Sequence, residues 1–150
     1  MASNAHTLHA RVLTPEGEVF DGEVEQLSTR TAVGELGVLA NHVPVLARLM
    51  PTTLRLHLEG GEVKEFAQSE GWLQVFANYA LVLVGEAIPP DQLDEEMLKS
   101  RIEDAERRIQ ESEDGSSARR RAELDKKRAE AFLSVAGFAV TFAETASSMV

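Results

Sequence analysis

An all-β sandwich followed by a C-terminal antiparallel α-helical hairpin is the architecture this sequence predicts. Three observations lead there. Apolar residues alternate with a period of two from Thr7 to about Ala87, and turn-forming residues interrupt them at short spacing. Beyond Pro89-Pro90 the apolar period lengthens to that of helices. Proline cannot continue a ladder, so this pair divides a sandwich domain, 1–88, from a helical hairpin with a C-terminal tail, 89–150.

The strands come first. Leu8, Ala10 and Val12 alternate with His9 and Arg11, as a half-buried strand requires. Pro15-Glu16-Gly17 and Asp21-Gly22 supply turns soon after. Leu54, Leu56 and Leu58 alternate with Arg55, His57 and Glu59, and Gly60-Gly61 then reads as a tight hairpin turn before Val63–Ala67. Ser69-Glu70-Gly71 marks a further turn.

Past the prolines, Asp91 or Asp94 caps a helix whose apolar stripe is Leu93, Met97, Ile102, Ala105 and Ile109. Asp114-Gly115-Ser116-Ser117 breaks it and offers a hydroxyl to cap a second helix. There Ala118, Ala122, Ala129, Phe132, Leu133 and Ala136 recur at helical spacing. So short a break predicts that the helices fold back on each other. Their charges are complementary: residues 91–114 hold ten acids and four bases, residues 116–136 six bases and three acids. Helices of about 23 and 21 residues would reach about 65 Å end to end. An alanine seam buries little area, so the hairpin is expected to be weakly held and able to move.

Composition excludes several functions. A net charge of -10 argues against nucleic-acid binding, which needs a basic face. The absence of cysteine excludes disulfides and Cys-based zinc sites. No basic-then-apolar leader opens the chain, and Tyr79–Gly85 and Val135–Val140 are too short to span a bilayer, so direct membrane insertion is not expected. The four histidines, His6, His9, His42 and His57, show no metal-ligand spacing. No nucleophile elbow, P-loop or dinucleotide fingerprint occurs, and the carboxylates lie on polar faces. The chain reads as neither an enzyme nor a metal protein.

One stretch is over-punctuated for a connecting loop: Gly34 to Leu46, GELGVLANHVPVL. Gly34, Gly37 and Asn41 permit positive φ, and Pro44 restricts Val43, so a shaped, partly apolar projection is expected. Leu36, Val38, Leu39, Val45 and Leu46 are expected mostly as core, and Glu35, Asn41 and His42 as exposed contacts. The stretch resembles the signature G-E-[LM]-G-[IV]-L-P-G-H-x-P-L-[LV] of the epsilon subunit of F-type ATP synthases. Ser69-Glu70-Gly71-Trp72-Leu73-Gln74-Val75 resembles that family's S-G-G-x-[LV]-[EQ]-V, and Arg121–Leu124 with Lys127–Ala129 resembles its second helix. Resemblance runs in order through residues 7–136. Ala40-Asn41 replaces Pro-Gly, Glu70 replaces a glycine, and Gly137–Val150 extends past the usual helical end. In that tail, Phe138, Val140 and Phe142 either cover the hairpin tip or contact a partner.

The resemblance implies a non-catalytic rotor subunit. It would couple the gamma subunit to the c-ring for ion-driven ATP synthesis, with Glu35, Asn41 and His42 as contacts. The helices would restrain ATP hydrolysis by reaching the alpha and beta subunits of the catalytic head. Arg119, Arg120, Arg121, Lys126, Lys127 and Arg128 are the candidates to meet acidic groups there, against the plainer reading of a solvated helix face. The location implied is peripheral, on the cytoplasmic face of the plasma membrane. Some family members hold a regulatory ATP through [IL]-D-x-x-R-A and second-helix arginines. Here Asp94, Arg121 and Arg128 match, but Met97 and Leu98 stand at the Arg-Ala positions and Phe132 where a third arginine often lies. A thioether cannot replace a guanidinium fork, so no cofactor, ATP included, is expected. A free-standing binding module with a regulatory hairpin is the other reading.

Overall fold

The computed structural model describes residues 6–137. It divides into two compact units, one running to Pro89 and one beginning at Pro90.

The first unit is a β-sandwich of ten strands. In order they are β1 (Leu8–Thr14), β2 (Gly17–Val24), β3 (Gln26–Thr31), β4 (Gly34–Leu39), β5 (Val45–Leu49), β6 (Thr52–His57), β7 (Val63–Gln68), β8 (Gly71–Phe76), β9 (Tyr79–Val84) and β10 (Ala87–Ile88). Pairing follows β10-β7-β6-β3-β5-β8-β9-β1-β2, with β4 on the other edge of β3. All pairs are antiparallel except β1 with β9. β3 meets β5 only at Thr31 and Leu49. That single pair is the corner at which the sheet turns over to make its second layer.

Strand alternation decides which residues enter the core. Leu8, Ala10 and Val12 are fully buried on β1, and so are Leu54 and Leu56 on β6. Each such leucine contributes about 1.5–3 kcal/mol by leaving water. Thr29 Oγ1 donates to Gln68 Oε1 (2.6 Å) and Gln68 Nε2 to the Met50 carbonyl (3.0 Å), so the buried amide is satisfied on both ends. The glycines after β6 form a 3-10 turn, with Gly60 and Gly61 at φ 85° and 90°.

Gly34–Leu39 is a strand, not a projecting loop. It forms six register pairs with β3, and only residues 40–44 lie between strands. Apolar alternation at Leu36 and Val38 outweighs the glycines, because an edge strand tolerates Gly37 where a two-sided strand would not.

The second unit contains α1 (Glu95–Glu111) and α2 (Ser117–Val135). Asp94 caps α1, accepting from the amides of Glu96 (3.0 Å) and Met97 (3.3 Å). Ser116 caps α2 through the Arg119 amide (3.1 Å), and Gly115 makes the reversal at φ 74°. α1 has 17 residues, fewer than the apolar pattern suggests, because Pro90–Gln92 forms a separate 3-10 turn, and α2 has 19. Arg108 pairs with Asp125 (2.9 Å) and Glu106 with Lys126 (3.4 Å). One number falls as the other rises, so the helices are antiparallel. On α1 the buried residues are Leu98 and Ala105, while Met97 is 55% exposed. The spacing Leu98, Ile102, Ala105, Ile109 keeps one face, and Met97 stands about 100° off it. Positions 138–150, including the tail aromatics, lie outside the described residues.

Candidate functional site

One end of the sandwich is built around a side chain. The β8–β9 connection is Ala77-Asn78, both left-handed at φ 51° and 60°. A two-residue turn with positive φ at both positions matches the twist of its flanking strands, and Asn is well suited to it. There the Asn78 amide faces the loop between β4 and β5. Asn78 Oδ1 accepts from the Asn41 amide (2.8 Å), and Nδ2 donates to the Thr7 carbonyl (2.9 Å). The His9 amide donates to the Asn78 carbonyl (3.1 Å). Asn41 is itself at φ 61°, a left-handed conformation that glycine adopts without strain and asparagine more readily than other residues. The His42 amide donates to the Leu39 carbonyl (3.1 Å), and its Nδ1 lies 2.7 Å from the Val43 carbonyl. The loop thereby presents Val43, 70% exposed, beside Leu39 and Leu46.

Glu35 does not belong to that end. It pairs with Arg30 near the opposite end of β4, about 13 Å of strand from Leu39. Glu35 is exposed and Asn41 and His42 share a loop, but the three do not form one patch.

The neighbouring sheet face is a second candidate. Trp72 and Leu83 are partners across β8 and β9, Gln74 pairs with Leu81, and Phe76 with Tyr79. Opposite them, Leu73, Val75, Ala80 and Val82 point into the core. The outward side of these strands therefore carries several exposed apolar side chains, Trp72 at 49%, Phe76 at 64% and Leu46 at 69%, around Gln74, the partner of Leu46. A shallow cavity of about 260 Å³ is lined by Gln74, Phe76, Ala77, Tyr79 and Leu81. At its margin His9 stacks on Tyr79 (5.3 Å between rings) and meets the carboxylates of Asp21 and of Glu23.

In the hairpin the six candidate cations divide. Arg119 binds Asp114 (2.5 Å), and Arg120 donates to the Gly115 carbonyl (2.8 Å). Lys126 spans Glu106 and Glu130, and Arg128 meets Asp125 (3.1 Å). Arg121 and Lys127 are exposed, with no carboxylate at ion-pair distance among the described residues. Arg121 lines a hairpin-tip basin with Arg108, Glu111, Ser112 and Ala118. Asp94 caps the far end of α1, and Arg121 lies in the second turn of α2, near the tip. Helical rise puts about 27 Å between those levels, so the hairpin does not bring them together.

A family model described as "ATP synthase, Delta/Epsilon chain, beta-sandwich domain" matches residues 7–90. The ATP synthase epsilon chain of Halalkalibacterium halodurans is 38% identical over 131 residues, 87% of this chain and 98% of its own. That of Persephonella marina is 40% identical over 130 residues, 86% and 96%. The chain belongs to the ATP synthase epsilon chain family. Among solved structures, a chain of the Euglena gracilis mitochondrial ATP synthase, seen by cryo-EM as OSCP/F1/c-ring in rotational state 1, superposes with a TM-score of 0.74. It covers 89% of this chain and 83% of its own at 23% identity, which establishes a shared fold. As an epsilon chain the protein is a non-catalytic subunit of a rotary ATP synthase and not an enzyme by itself.

Against this epsilon-chain background, the sequence reading missed the outer apolar face and Asn78. Leu39 and Leu46, expected in the core with their neighbours, are exposed, because each stands one residue out of phase with a core-facing Val38 or Val45. A signal was present: Tyr79–Val84 has no polar alternation, which is how a strand covered on both faces reads.

Proposed function

We propose that this epsilon chain couples the gamma subunit to the c-ring and restrains ATP hydrolysis with its helical hairpin, beside the alpha and beta subunits of the catalytic head. The observation that carries the coupling role is the second apolar face of the sandwich. Its inner face already fills the core, so Leu46, Trp72, Phe76 and Leu83 remain for a partner. Tryptophan, here Trp72 paired with Leu83, is among the residue types that most often anchor a protein interface. We assign this face to gamma and the adjoining loop, Asn41 to Val43, to the c-ring.

The hairpin suits a movable brake. Along most of their length its helices bury only small side chains, Ala105, Ala122 and Ala129, with Leu98, Phe132 and Leu133 buried toward the end away from the tip. Their partly exposed ion pairs contribute about 0–1 kcal/mol each. Arg121 and Lys127 are the cations most available to acidic groups of the catalytic head. No regulatory ATP is assigned, since the matching residues Asp94, Arg121 and Arg128 are not gathered at one place. The subunit would act at the cytoplasmic face of the plasma membrane, held peripherally by its partners. No helix among the described residues is long and apolar enough to cross a membrane.

Affinity purification of the tagged chain from its own membranes tests this reading. Gamma and the catalytic subunits should be recovered with it, and recovery of the chain alone would overturn the assignment.

A further inference from the structure

Among the surface features, one side chain links three segments distant in sequence at the end assigned to docking. We propose that Asn78 is the positioning residue for the β4–β5 loop, holding it in the geometry in which it meets the c-ring. This rests on the coupling role proposed above.

Residues 40–44 belong to no strand, so their backbone groups have no ladder to join. The Asn41 amide finds its acceptor 37 residues away, in Asn78 Oδ1. The other end of the same carboxamide holds the Thr7 carbonyl, 71 residues from Asn78, just before β1. The backbone carbonyl of Asn78 takes the His9 amide. An amide is the side chain suited to this place, because it accepts at one atom and donates at the other from one rigid plane. Its own backbone is fixed by the left-handed turn, so the carboxamide starts from a defined position.

Thr7 extends the same tie. Its Oγ1 donates to Glu23 on β2 (3.3 Å), and Glu23 meets His9 Nδ1 (2.9 Å). The loop is thus attached to β1, β2 and the β8–β9 turn together. Without the amide, the bonds left to the loop among the described residues are the local ones of His42 to Leu39 and Val43, which stay within the loop region itself. Val43 and His42 would then sample many positions, and docking would have to order them each time.

Three variants test the proposal. N78G keeps the left-handed turn and removes the amide. N78D keeps an acceptor for the Asn41 amide but cannot donate to Thr7. A77G changes the same turn and leaves the amide in place. In the isolated full chain, hydrogen exchange at the Asn41 amide should rise about fivefold or more in N78G. It should stay near the parent rate in A77G and rise in N78D as well, because a carboxylate oxygen there faces the Thr7 carbonyl and cannot donate to it. In reconstituted ATP synthase, N78G should lose ion pumping per ATP hydrolysed, N78D should lose part of it, and A77G should retain it. Unchanged exchange at Asn41 in N78G overturns the positioning role. Faster exchange with full pumping overturns the docking role of the loop, while co-purification with gamma still tests the wider reading.

Discussion

The carbonyl oxygen of Leu83 occupies the space that a side chain on Gly71 would need. An ideal Cβ on Gly71 would lie 2.0 Å from that oxygen and 2.8 Å from the Val84 Cα. Both obstacles are backbone, in strands paired on either side, so neither can yield. Gly71→Ala should therefore destabilise the sandwich by about 3 kcal/mol or more, as overpacking against fixed backbone does. Glu70, half-buried and outside the left-handed region, should accept glycine with much less effect. Urea unfolding of the two variants separates these outcomes.

The outer apolar face makes a second prediction. Replacing Trp72 and Phe76 with serine removes exposed surface and leaves the core side chains Leu73 and Val75 in place. The double variant should remain folded at a cost of about 1–3 kcal/mol, because Trp72 and Phe76 are only partly buried and the core side chains are untouched. Its recovery with gamma should fall sharply. Equal recovery of parent and variant would remove this face as the docking surface.

Truncation tests the brake. Ala87 and Ile88 pair with Gln68 and Ala67, so the sandwich needs residues through Pro89. A chain ending there should fold, assemble and support ATP synthesis, while ATP hydrolysis rises. Hydrolysis assays on membranes with and without residues 90–150 decide it, and equal rates would show that the hairpin is no brake.

Glu130 gives the hairpin a defined pH dependence. Burial is the main cause that raises its pKa above the usual 4.5, and repulsion from Glu106 adds to it, against attraction by Lys126 and Lys127. A carboxyl whose folded pKa is raised favours the folded state when protonated. That contribution is full below its unfolded pKa and is lost as pH rises through the higher folded value. Glu130→Gln should therefore raise hairpin stability at neutral pH and flatten the acid-side rise of the parent. Helix melting followed from acid to neutral pH checks the sign.

Nucleotide binding is the last prediction. Asp94 and Arg121 stand at opposite ends of the hairpin, and Met97, exposed beside the cap, offers no donor to a phosphate. Calorimetric titration of the isolated chain with ATP should show millimolar affinity or none. Micromolar binding would mean that the hairpin gathers a site in some other arrangement.

Local rules settled a good part of this protein. The alternation of Leu8, Ala10 and Val12, the Gly60-Gly61 turn, the Asp94 cap and the break at Gly115 are decided by side chains within a few residues of one another. The sequence could therefore be read there directly, as could the family through the glycine-rich stretch and its order with the helices. What the strands face was decided elsewhere. Trp72, Phe76 and Leu83 are as apolar as Leu73 and Val82, and which of the two sets is buried follows from the closing of the sheet on itself, not from the residues' own chemistry. Leu98 rather than Met97 is buried because the facing helix selects one phase of two adjacent apolar residues. Glu35 parted from Asn41 because β4 is an extended strand between them. Asn78 carries no local mark of its role, since its partners Asn41 and Thr7 lie 37 and 71 residues away. Periodicity and turn chemistry act over a few residues, whereas facing and long-range hydrogen bonding exist only once the chain has closed.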